Sequence, residues 1–411
     1  MIKFERFTLE NGLKVIFHKD TTTPLAVLNT LYDVGARDED PNKTGFAHLF
    51  EHLMFGGSIH IPDFDKPLQN AGGESNAFTS NDITNYYDIL PAQNIETALW
   101  LESDRMLSLA FTSKSLETQR SVVIEEFKQR YLNQPYGDVW LELRPLAYKT
   151  HSYLWATIGK NIKHIEDATM EDVKSFFKAH YCPNNAILCI AGDFEFEYVK
   201  GLVEKWYGNI PSQKKQNRNL QYEEKQNEHR ELILERNVPA DAFYYAFKMP
   251  ARKDENYIVC DILSDSLGGD KSSRLYQSLQ KRKKIVTEIN AYITGSIDEG
   301  LFLITGKLAP KKTFEELDAL IWEELVKICS IKLKSKELER LKNKIRTAKE
   351  FQEQGLLNRA MNLCFHELLG DANEINHEKI RYLEINSDQV FEVSNLLFRK
   401  ENCSLLKVKA F

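Results

Sequence analysis

Residues Thr44 to Gly57 read TGFAHLFEHLMFGG. At about 100° per residue, a helix through this stretch gathers Phe46, Leu49, Phe50, Leu53 and Met54 on one side and His48, Glu51 and His52 on the other. The histidines stand one turn apart. Two neutral imidazoles at that spacing can fill two corners of a zinc tetrahedron, and the carboxylate between them is placed to act as general base. Taken alone, the spacing also fits a solvated helix face with two incidental histidines, so the rest of the chain must supply the context.

The composition is that of a soluble globular chain: 411 residues, 42% hydrophobic and 28% charged, long enough for two or more cores. A net charge of -6 argues against a dedicated nucleic-acid or anionic-membrane surface, and the run Lys281 to Lys284 reads as a solvated face. Cys182, Cys189, Cys260, Cys329, Cys364 and Cys403 include no C-x-x-C pair, which suits reduced, buried thiols and leaves zinc to ligands other than cysteine. The opening MIKFERFTLENGLKVIF enters a strand pattern at once, without the apolar core of a signal peptide, and no apolar run reaches the roughly 18 residues of a membrane span. The expectation is a cytoplasmic protein with no membrane span, although a trimmed leader would leave the same sequence.

Upstream of the histidines, Phe4–Leu9 and Leu13–Phe17 form a hairpin pattern about Asn11-Gly12, and Leu25–Val34 reads as a third strand. Downstream, Asn76–Thr79 and Thr84–Leu90 read as an edge hairpin, followed by helices over about 95–109 and 115–131. On the second helix Leu116, Val123, Phe127 and Glu126 share the apolar face, while Glu125 lies beside Ser121 on the wet side. A carboxylate among core residues needs a counter-charge, and a metal ion and an arginine serve equally well on this evidence. The stretch SQKKQNRNLQYEEKQNEHRE, residues 212–231, carries almost no apolar residue and reads as a linker. Strands restart at Leu232–Leu234 and Ala242–Met249, with later ones at 288–294 and 300–307, and the two half-ends resemble each other as a faint internal repeat. The fold class expected is α+β: two similar domains, 1–211 and 232–411, each a mainly antiparallel sheet packed with helices.

The order HLFEH, NAFTSNDITNYYDILP, ALWLESDRM, QRSVVIEEFKQRYLNQPYG and YCPNNAILCIAGDF resembles the pitrilysin/insulinase family of zinc peptidases, the inverzincins, in their short bacterial type, similar to the zinc-carrying subunit of mitochondrial processing peptidase. The match is dense from Gly35 to Asp193 and thinner afterwards, where GGDKSSRLYQSL carries it. The resemblance implies half of a clamshell, zinc held by His48, His52 and a downstream glutamate, and Glu51 as base. Spacing leaves that glutamate open, since 73 residues separate His52 from Glu126 and 72 separate it from Glu125; the helical face selects Glu126. Gln119 stands where the family usually has glutamate, a departure that loosens support of the ligand.

The same resemblance implies a peptide added as a strand along Gly73–Thr79, touching Asn76, Ala77 and Phe78, although Phe78 serves equally as a core aromatic. It also implies an arginine and a tyrosine seven residues apart in the second half; their positions hold Gln280 and Thr287. The implied function is therefore a zinc-dependent endopeptidase acting on peptides or unfolded segments, in a heterodimer whose homologous partner supplies the missing pair. The alternative is a non-catalytic structural or assembly subunit on the same fold.

Overall fold

Period-two alternation in the sequence becomes two sheets in the computed structural model, which describes residues 1–411 except 215–217 and 219. The first contains β1 (Glu5–Thr8), β2 (Lys14–Lys19), β3 (Leu25–Tyr32), β4 (Glu74–Thr79), β5 (Thr84–Pro91) and β6 (Ala186–Gly192), in the order β1-β2-β6-β3-β5-β4. Only β2 and β6 run parallel. The Asn11-Gly12 turn sets the first register, Glu5 opposite Phe17, with Gly12 at φ +88. The second contains β7 (Arg230–Arg236), β8 (Ala242–Met249), β9 (Val286–Ile293), β10 (Gly300–Leu308) and β11 (Cys403–Ala410), in the order β7-β11-β8-β10-β9. Apart from β1, each sheet runs first, last, second, fourth, third strand of its half. The faint repeat of the sequence is thus a repeated topology.

Contiguous domains do not describe the chain. One compact unit takes Met1–Lys128, Trp155–Gln221 and Glu350–His377; the other takes Gln129–Leu154, Tyr222–Lys349 and Glu378–Phe411. Each sheet is buried on both faces and needs a helix for its second face, and that helix comes from the other half of the sequence. In the first unit the Leu356–Leu369 helix lays Ala360, Leu363 and Cys364 against Ile16, Val27, Leu31 and Ile187. In the second, the Val139–Ala147 helix packs Val139 and Leu143 on Ala242, Ala246, Leu301 and Leu303, while Phe243, Phe247, Phe302 and Ile304 point into a separate core beneath the Tyr257–Gly268 and Phe314–Ser330 helices.

The polar stretch 212–231 lies partly outside the described residues, and its described end is anchored. Glu223 accepts from the N–H groups of Lys149, Thr150 and His151 at 2.9–3.0 Å, Gln226 donates to the Cys403 carbonyl at 3.0 Å, and β7 already begins at Arg230. Buried polar side chains fasten it where apolar ones were absent. Among the described residues, no helix is long and apolar enough to cross a membrane.

Candidate metal centre

The metal-site helix is Phe46–Leu53, entered through Gly45 at φ +91, where a Cβ would stand 2.6 Å from the Ile158 carbonyl oxygen. Its apolar side, Phe46, Leu49, Phe50 and Leu53, is buried. Glu39 fixes its start, a role that sequence reasoning missed. This buried carboxylate accepts from the N–H groups of Gly45 and Ala47, both at 2.8 Å, satisfying two donors at the helix terminus. Burial pushes its carboxyl up to about 8, although both N–H groups act to lower it. The signal was a run of charges, RDED at 37–40, directly before an apolar helix.

On the polar side the site is assembled within the first unit. Glu126 arrives on the Ser113–Phe127 helix, which packs on the metal-site helix and is capped by Thr112 accepting from Ser115 N. Its Oε2 lies 3.5 Å from His48 Nε2 and 3.4 Å from His52 Nε2, and the two imidazoles stand at right angles with centroids 4.9 Å apart. Glu126 is 19% exposed, whereas Glu125 is solvent-exposed. The carboxylate that lies near both imidazoles is that of Glu126. Glu51 shares the polar side and accepts from Thr79 Oγ1 at 2.5 Å, which ties it to β4. Gln119 sits half-buried two turns before Glu126.

The donor set fits zinc. Ligand atoms on a tetrahedral ion with bonds of about 2.0–2.1 Å lie about 3.3–3.4 Å apart, close to the imidazole–carboxylate distances here, and one ligand atom from each of His48, His52 and Glu126 falls within 4.8 Å of the others. Two imidazoles and one carboxylate leave a fourth corner for water or substrate.

β4 is the free edge of its sheet, with Asn76, Ala77 and Phe78 opposite Tyr87, Tyr86 and Asn85. Phe78 is 41% exposed, so it is no core aromatic. The Ala77 N–H is taken by the Asn76 side-chain oxygen at 2.8 Å. An incoming strand would displace that contact. In the second unit, positions 280 and 287 are neighbours, Gln280 Nε2 donating to the Thr287 carbonyl at 2.7 Å. Two positions that the family pattern pairs thus adjoin.

Beneath the site, fully buried Arg105 is held by Glu102 and stacked among three rings, at 4.4 Å from the centroid of Phe64, 4.5 Å from Tyr86 and 5.2 Å from Phe55. The Tyr86 hydroxyl reaches the Phe50 carbonyl at 3.4 Å, beside Glu51. Burial and the nearby Glu102 carboxylate push the Asp88 carboxyl well above the usual carboxylate range. Arg105→Met is expected to cost about 3–5 kcal/mol by leaving Glu102 buried and unpaired, and adding Glu102→Gln to recover most of it. Urea unfolding of the single and double variants checks this; an unrecovered double variant would place the loss in packing.

A model described as Insulinase (Peptidase family M16) matches residues 14–147, and one described as Peptidase M16 inactive domain matches 167–345. The chain is 32% identical over 346 residues to the zinc protease PqqE of Helicobacter pylori, covering 83% of this chain and 78% of that one. It belongs to the M16 peptidase family. A crystal structure of a protease from Helicobacter pylori superimposes with a TM-score of 0.93 at 28% identity, covering 100% of both chains. A probable mitochondrial-processing peptidase subunit beta from Arabidopsis thaliana is 23% identical over 353 residues, 83% of this chain and 66% of that one. Within this M16 chain, the metal-site helix and the Glu126 helix up to Phe127 both lie inside the 14–147 match.

Proposed function

We propose that the chain is a zinc endopeptidase subunit that hydrolyses peptides or unfolded segments, held as an added strand along β4. The observation that carries this is the convergence of His48, His52 and Glu126 on one point beside Glu51. Bound there, zinc supplies Lewis acidity toward a peptide carbonyl and water. Glu51 takes the proton of the attacking water and returns it to the leaving amine. Thr79, hydrogen-bonded to that carboxylate, links the base to the strand along which the substrate lies. The outward main chain of β4 at Ala77, flanked by Asn76 and Phe78, binds substrate main chain, which favours extended substrates over one side-chain sequence. The six free cysteines suit a cytoplasmic setting.

Full activity is assigned to a heterodimer. Gln280 and Thr287 offer neither the guanidinium nor the phenol of the family clamp, so a homologous partner keeping both would complete one site. Positioning of this kind accounts for several kcal/mol of a barrier. Gln280→Arg with Thr287→Tyr is expected to raise cleavage of an unstructured peptide by the isolated chain on the order of tenfold, with zinc content unchanged. The heterodimer fails if wild-type chain alone cleaves as fast as its mixture with the partner. A zinc-loaded chain inert even with that partner would favour the scaffold reading.

A further inference from the structure

Two turns meet beside the outer end of the second sheet. The Ala309 N–H donates to the Ile285 carbonyl at 2.9 Å, and Leu308 lies opposite Val286 across β10 and β9, so the residues flanking them share one corner. That corner carries Lys281, Arg282, Lys283, Lys284, Lys311 and Lys312. Lys283 pairs with Glu323 at 2.8 Å, but among the described residues the other five have no carboxylate within ion-pair distance. Four of those five are exposed and Lys312 is half-buried. A concentration of unpaired cations runs against the chain's net charge of -6.

The backbone adds an independent observation. Lys284 and Lys311 sit at φ +52 and φ +67, two of only four non-glycine residues at positive φ in the described chain. Glycine would occupy these turns with less strain. Both lysines are solvent-exposed and make no ion pair among the described residues, so the turns hold their charges clear of the fold. Alongside runs β9, the free edge of its sheet, where Gln280 Nε2 already donates to the Thr287 carbonyl nearest the corner at 2.7 Å and the strand beyond it forms the outer edge.

We propose that this corner binds an acidic stretch of polypeptide, paired along β9 with its carboxylates against Lys281, Arg282, Lys284, Lys311 and Lys312. A nucleic acid or anionic bilayer would meet the negative charge of the whole molecule, whereas a short peptide meets only the corner. The site uses none of the metal-centre residues but adjoins Gln280 and Thr287, so peptide binding at it is read apart from hydrolysis. Binding can therefore fail or succeed independently of hydrolysis.

The test is fluorescence anisotropy of the full chain with a labelled peptide of alternating Glu and Ser, against a Lys and Ser counterpart. The acidic peptide is expected to bind, more weakly as salt rises, and the basic one not to bind. Lys284→Gly with Lys311→Gly should weaken acidic-peptide binding by roughly threefold per lysine while the melting temperature holds or rises. Lys281→Ser with Arg282→Ser, which leaves the turns unchanged, should weaken it similarly, and Lys334→Ser with Lys336→Ser, elsewhere on the same unit, should not. Equal binding by wild type and both corner variants overturns the proposal, as does an equal loss in the Lys334/Lys336 variant or tighter binding of duplex DNA or anionic vesicles than of the peptide.

Discussion

Alanine at His48 or His52 is expected to abolish stoichiometric zinc. Structural sites bind zinc with roughly 10–16 kcal/mol in total, so one ligand of a small set carries several kcal/mol, on the order of a thousandfold in affinity. Glu126→Gln keeps the shape but removes the charge that faces both imidazoles at 3.4 and 3.5 Å, and it should weaken zinc almost as much. Glu125→Gln, one residue away on the solvent side, should leave zinc unchanged. Competition with a chromophoric chelator measures all four variants on one scale. Equal losses from the two glutamate changes would mean that either carboxylate can reach the ion, contrary to the half-burial of Glu126 and the exposure of Glu125.

The second large effect is on turnover without metal. Glu51→Gln is nearly isosteric, can still accept the Thr79 hydrogen bond through its amide oxygen, and leaves His48, His52 and Glu126 in place. It cannot take a proton from water. Hydrolysis should fall by about 10²–10⁴-fold with zinc content and melting temperature unchanged, the range that positioned acid–base groups contribute. Zinc content, unfolding and peptide cleavage on the same preparation separate the outcomes. Cleavage at the wild-type rate by a zinc-loaded variant would remove Glu51 from the mechanism, and lost zinc would make it part of the metal site instead.

Much of the centre was legible because helical geometry is local. Residues one turn apart must share a face, so His48, Glu51 and His52 followed from their spacing, and the same rule placed Glu126 inward and Glu125 outward. The Asn11-Gly12 hairpin and the edge hairpin at 76–90 were legible for the same reason, since turn chemistry and alternation act over a few residues. The partner of Glu126 was not legible. A buried carboxylate requires a counter-charge, but local sequence does not say which distant group provides it, and an arginine fitted as well as a metal.

What the sequence by itself determined is therefore the candidate metal-site helix, the face on which Glu126 lies, the strands and the repeat between the halves, all consequences of short-range periodicity. Only the tertiary structure decided which helix closes each sheet. The exchange of the Val139–Ala147 and Leu356–Leu369 helices between the halves of the sequence depends on which buried faces lack a cover, a property of assembled sheets that leaves no mark on the order of residues. It also decided that Glu39 caps the metal-site helix, that Arg105 braces the ring of Tyr86 beneath it, and that two lysine-bearing turns meet at one corner. Each unites residues whose hydrogen bonds and charges are satisfied across the fold, where burial makes pairing obligatory and sequence distance has no bearing.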